Sequence, residues 1–130
     1  LKQVGRLRTS IAQIRDVMPG ETVGYGRSGE VENPKKIATI PIGYADGFRR
    51  ILSNGRGKVF INGNLYPVIG NVCMDMTMID ITGANVEVGD EVVIFGPELP
   101  IEEVAGWLET IPYEVLTSVA ARVKRIYVKD

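Results

Sequence analysis

The chain has 130 residues, of which 45% are hydrophobic and 24% charged, with 15 Lys and Arg against 16 Asp and Glu. That length suits one domain with its own core, and a net charge of −1 argues against a nucleic-acid binder, which needs clustered cations for phosphate contacts. Histidine is absent and cysteine occurs once, at Cys73, which excludes Ser-His-Asp and Cys-His nucleophile systems, imidazole metal ligands, an internal disulfide framework and thiolate zinc clusters.

No apolar run approaches the roughly 20 residues of a membrane span. Residues 1–17 carry charges throughout and no small-residue cleavage site behind an apolar block, so no signal peptide is expected. A start at Leu1 rather than Met suggests a piece of a longer protein. The expectation is a cytoplasmic, soluble domain whose chemical groups are tyrosine, carboxylate, lysine and arginine.

In chain order, residues 3–17 (QVGRLRTSIAQIRDV) alternate apolar and polar positions and predict one long strand with a slip in phase. Pro19-Gly20-Glu21 reads as a turn, residues 22–25 as a short β segment and residues 26–36 (GRSGEVENPKK) as a surface loop. Residues 36–42 (KIATIPI) predict a strand, with Pro41 favouring an edge or a strand end. Residues 43–47 (GYADG) form a tight connection, residues 48–52 one helical turn and residues 53–57 (SNGRG) another turn. The clearest local signal is KVFI, Asn62-Gly63, NLYPVI: two strands joined by a type I′ turn, whose two central residues need φ > 0. Residues 70–81 (GNVCMDMTMIDI) alternate strongly and predict one strand with Val72, Met74, Met76 and Met78 on a single buried face. Val88-Gly89-Asp90 is a turn and residues 91–95 (EVVIF) a buried strand. Residues 101–108 predict an amphipathic helix behind Pro100, residues 113–123 a second helix, and residues 126–129 a closing strand. The sum is a mainly β, barrel-like domain with two short helices near the C-terminus.

Four patches are candidates for chemistry. Gly24-Tyr25-Gly26 leaves a phenol uncovered between glycines, and Gly43-Tyr44-Ala45-Asp46-Gly47 repeats the theme after a strand. Cys73-Met74-Asp75 sets a thiol, a thioether and a carboxylate side by side. Tyr113-Glu114 opens a helix behind Pro112, where free N–H groups favour an anion. Each also has an ordinary explanation: a surface tyrosine in a glycine-rich turn, turn chemistry, a core methionine beside a solvated carboxylate, and a helix cap.

Their order and spacing are more specific than any one of them. VGYGR, TIPIGYADGFRR, PVIGNVCMDMTMID, GDEVVIFG and IPYEVLTSVAARVKRIY together resemble the C-terminal domain of alanine racemases, from about Val4 to Tyr127. The resemblance implies that residues 1–130 are that β domain, and that a cofactor-binding β/α barrel belongs upstream of Leu1 in the parent protein. It implies pyridoxal 5′-phosphate, carried on a lysine of the barrel and not expected on this chain alone. It also implies interconversion of L- and D-alanine for cell-wall peptidoglycan, and a homodimer in which this domain docks on its partner's barrel. The cofactor is an electron sink for the substrate Cα, and racemisation then needs an acid/base group on each face. The barrel lysine serves one face, and the family's tyrosine, matched by Tyr25, serves the other. A tyrosine's ordinary pKa of about 10 means that cations, mainly from the barrel, must lower it. Tyr44 matches the tyrosine that narrows the substrate channel, Met74 the residue whose backbone N–H holds the substrate carboxylate, and Asp75 the neighbouring acid of the channel's polar network. Tyr113 matches the tyrosine whose hydroxyl meets the cofactor phosphate. The loop of residues 28–36 matches no family motif. With the barrel's lysine and cofactor lacking, the domain alone should be inactive. Alternatives are the same domain within a larger serine or alanine racemase or a ligase fusion, or a β dimerisation module without chemistry.

Overall fold

In the computed structural model, residues 6–21, 33–117 and 119 are described. Among them are seven strands and two helices: β1 Leu7–Ser10, β2 Gln13–Val17, β3 Lys35–Ile40, β4 Lys58–Ile61, β5 Asn64–Pro67, β6 Thr77–Asp80, β7 Glu91–Phe95, α1 Ile101–Trp107 and α2 Pro112–Thr117. The domain is mainly β with two short helices, as expected. A four-stranded sheet has the order β1-β7-β4-β5 and a three-stranded sheet the order β2-β3-β6, with every strand pair antiparallel.

The N-terminal run does not form one strand. It turns a corner at Ile11-Ala12, and its halves enter different sheets: β1 pairs with β7 and β2 with β3. Ile11 N–H donates to the Asp90 carbonyl at 3.0 Å and Ala12 N–H to that of Thr39 at 2.9 Å. The phase slip visible in the sequence is this corner. A second seam lies at Val68, which bridges to Ile79, while Ile69 N–H bonds to the Met78 carbonyl at 3.0 Å. The two sheets share one apolar core: Ala38, Ile40 and Ile79 of one meet Val59, Ile61, Val92 and Phe95 of the other. This burial is the main stabilising term.

The β4–β5 hairpin has the expected turn, with φ of 46° at Asn62 and 92° at Gly63. Asn62 Nδ2 also donates to Asp90 Oδ2 at 2.9 Å, which ties the hairpin tip to the turn before β7. Pro41 does not mark an edge: β3 is the central strand of its sheet, and the proline falls just past its last ladder residue.

The largest departure concerns residues 70–81. Only Thr77–Asp80 is a strand, and its inward side chains are Thr77 and Ile79, the opposite parity to the one expected. Met74 and Met76 are exposed, whereas Val72 is buried as expected. The cause is a turn closed by Cys73 N–H on the Met76 carbonyl at 3.0 Å. It breaks the alternation before β6 begins, and the preceding backbone bonds to loops rather than to a ladder. The second helix begins at Pro112, and its described part ends at Thr117. The segments expected at 22–25 and 126–129 lie outside the described residues.

Candidate functional site

The site is built where β3 leaves its sheet. Ile42 is followed by Gly43 and a single 3-10 turn, Tyr44–Asp46, which ends on Gly47 at φ 104°. Asp46 is buried, and its Oδ2 accepts the Gly43 N–H at 3.0 Å while its own N–H donates to the Gly43 carbonyl at 3.0 Å. The aspartate of GYADG is therefore the lock of the turn. Its chemistry was legible as that of a turn residue.

The locked turn lies against the Cys73–Met76 turn. Tyr44 N–H donates to the Cys73 carbonyl and Ala45 N–H to the Met74 carbonyl, both at 3.0 Å. Gly43 sits so close to that backbone that a Cβ would come within 2.2 Å of the Cys73 carbonyl oxygen. Glycine is needed here for close approach, since its φ of −149° is ordinary extended backbone.

Two more contacts shape the neighbourhood. Val72 N–H donates to Ser53 Oγ at 2.9 Å, and Asn54 Nδ2 to Asn71 Oδ1 at 3.2 Å. The Arg50 guanidinium lies 5.8 Å from the centroid of the Tyr44 ring, within cation–π range. Between these groups opens a pocket of about 350 Å³ lined by Tyr44, Arg50, Asn71, Val72, Cys73 and Met74. The Met74 backbone N–H has no acceptor among the described residues.

The structure thus brings Tyr44 and Met74 together, with Asp75 exposed beside them. Tyr113 is not among the pocket's lining residues. It stands 71% exposed on α2, and α2 is tied to the segment after the Tyr44 turn by Arg49 and Glu114, 3.6 Å apart. Tyr25 lies outside the described residues. Sequence reasoning missed Arg50 and Asn71 as lining groups; a lone arginine on a 3-10 turn and an asparagine after a glycine carry no local signal of a pocket. Among the described residues no cluster of three or more metal-ligating side chains occurs. No helix is long and apolar enough to cross a membrane among them.

The groups present suit an anionic ligand held from one side. An exposed phenol and an amide N–H without an acceptor among the described residues are neutral donors fit for a phosphate or a carboxylate. The described lysines are engaged elsewhere, Lys35 with Asp80 and Lys58 over Trp107, or stand in β3 as Lys36 does, so none lines this pocket.

Comparison with known proteins gives one answer. The family model described as "Alanine racemase, C-terminal domain" matches residues 4–127. Alanine racemase 1 of Clostridium acetobutylicum is 48% identical over 135 aligned residues, covering 100% of this chain and 35% of that protein. Alanine racemase 2 of Caldanaerobacter subterraneus is 45% identical, with 98% and 34% covered. Among solved structures, alanine racemase from Bartonella henselae with covalently bound pyridoxal phosphate superposes with a TM-score of 0.89 at 42% identity, covering 95% of this chain and 34% of that one. That from Bacillus anthracis with bound L-Ala-P gives 0.89 at 34% identity, with 96% and 33% covered. The chain spans about a third of the length of these relatives. With the locked GYADG turn set against the CMD segment as its centre, the chain belongs to the alanine racemase C-terminal domain family.

Proposed function

We propose that this chain is the part of a pyridoxal phosphate-dependent alanine racemase that completes the active site opposite the cofactor-bearing barrel, in a homodimer where it docks on the partner's barrel. The cytoplasmic interconversion of L- and D-alanine for peptidoglycan is the corresponding role. The observation that supports this reading is the pairing of the Tyr44 turn with the Cys73–Met74 backbone, which sets Tyr44 and Met74 on one open pocket.

When bound, the cofactor supplies an electron sink for the substrate Cα. This chain's residues then divide the remaining work. The Met74 N–H holds the substrate carboxylate, which orients Cα. Tyr44 narrows the approach and excludes water, with Asp75 in the polar network at the mouth. The Tyr113 hydroxyl donates to the cofactor phosphate. Tyr25 holds or takes the Cα proton on the L-face. Two-face exchange cannot run with one acid/base group, so the chain alone is inactive.

The test is Tyr25→Phe in the full-length protein, which removes a hydroxyl and keeps the ring. Racemisation should fall by roughly 10²- to 10⁴-fold, typical of a lost general acid/base. Exchange in deuterated water should slow sharply for L-alanine and persist for D-alanine. A raised KM with kcat unchanged, or equal slowing from both enantiomers, overturns the assignment. Tyr44→Phe is the control, altering access without abolishing either exchange.

A further inference from the structure

The described part of helix α2 is six residues long, too short to hold its shape in water by itself. Tyr113 in its first turn is 71% exposed, so packing around the ring does not fix the phenol. Its direction is set by what holds the helix: the packing of Val115 and Leu116 on the core, and beside it two neighbouring contacts with the segment after the Tyr44 turn. Val115 is buried and lines the same small apolar cavity as Phe48. One residue earlier on α2 and one residue later on the facing segment, Glu114 Oε1 stands 3.6 Å from Arg49 Nη1. The same Oε1 accepts a 2.6 Å hydrogen bond from Thr110 Oγ1, which anchors the carboxylate to the residues leading into the helix. Phe48 and Arg49 follow directly on the turn that carries Tyr44. On the side facing the Tyr44 turn, α2 is thus held at an apolar point and an ionic point. Val115 and Leu116 seat the helix on the core, and the Arg49–Glu114 pair adds a tie next to Tyr113 that biases the orientation of its first turn.

We propose that Arg49 and Glu114 are positioning residues for Tyr113, holding its phenol where it meets the cofactor phosphate, a role that rests on the phosphate contact proposed above. In this role both act through the orientation of α2. A pair this exposed is expected to shift an affinity by about two- to fivefold.

The experiment measures pyridoxal phosphate affinity of the full-length apoprotein by the cofactor's visible absorbance, with melting temperature alongside. Arg49→Ala and Glu114→Gln should each weaken affinity by roughly two- to fivefold at nearly unchanged melting temperature, with Arg49→Lys closer to the parent. The decisive arm is the Tyr113→Phe background, where Arg49→Ala should have no further effect. Parent-like affinity in Arg49→Ala, or the same loss with and without the phenol, overturns the proposal. If Tyr113→Phe weakens binding and Arg49→Ala does not, the positioning role alone falls. If Tyr113→Phe leaves affinity unchanged, the phosphate contact falls and the positioning role with it.

Discussion

Thr77 donates its hydroxyl to the Ile42 carbonyl oxygen at 2.6 Å, from a position with 0% solvent exposure. The bond extends the β3–β6 pairing one step beyond the ladder, whose last partners are Ile40 and Thr77. It fixes the residue that feeds directly into the Gly43 turn. Replacing Thr77 by Val keeps the shape and deprives a buried carbonyl of its donor. The expected loss is about 1–3 kcal/mol, or a melting temperature lower by several degrees, with Thr77→Ser retaining more of the stability. Equal melting of Thr77→Val and the parent would show that the hydroxyl is dispensable.

Gly43→Ala should be more damaging than a glycine-to-alanine change in an extended segment usually is. The new Cβ would meet the Cys73 carbonyl oxygen and the Met74 backbone. Neither can withdraw cheaply, because the two turns are held by the Tyr44 and Ala45 amide bonds. A destabilisation of about 1–3 kcal/mol or more is expected, readable by denaturant titration. Where the variant still folds, the two turns must separate, so substrate KM in the full-length protein should rise.

Asp80 carries a pH signature. Burial alone would raise its pKa, but hydrogen bonds from the Thr82 hydroxyl and backbone N–H, together with the Lys35 ammonium, outweigh that effect and hold it below its ordinary value. A carboxyl whose folded pKa is depressed contributes stability above its unfolded pKa of about 3.9, and loses it as pH falls through the folded value. Asp80→Asn should therefore lower stability at neutral pH by up to about 1 kcal/mol, as expected for a partly exposed pair. The gap between variant and parent should close below about pH 4. A gap that stays constant from pH 7 to pH 3 would exclude the carboxylate as its cause.

Much of the fold was legible because its signals are local. Asn62-Gly63 supplies the positive φ values of its turn wherever it occurs, and residues 91–95 are apolar enough to be buried on either face. Residues 70–81 misled because alternation reports a face only while the backbone stays extended. The Cys73–Met76 turn is invisible in a pattern of side-chain polarity, and it inverts the parity of everything read across it. The split of residues 3–17 between sheets likewise depends on acceptors at Asp90 and Thr39, far away in sequence. Of the site, the Tyr44 and Met74 segments stand out locally, but the roles given to them come from a family resemblance rather than from chemistry visible in any one segment. The union of Tyr44 with Met74 rests on two long-range amide bonds that sequence alone does not display.

The corner at Ile11-Ala12 has a mechanical meaning. Two consecutive amides there are bonded to different sheets, one to the Asp90 carbonyl and the next to that of Thr39. Neither sheet can peel away without dragging the same dipeptide out of the other, and Ile11, at 1% exposure, would have to leave the shared core as it went. The stitch thus disfavours a half-open state in which one sheet survives alone, and it couples the loss of the two sheets.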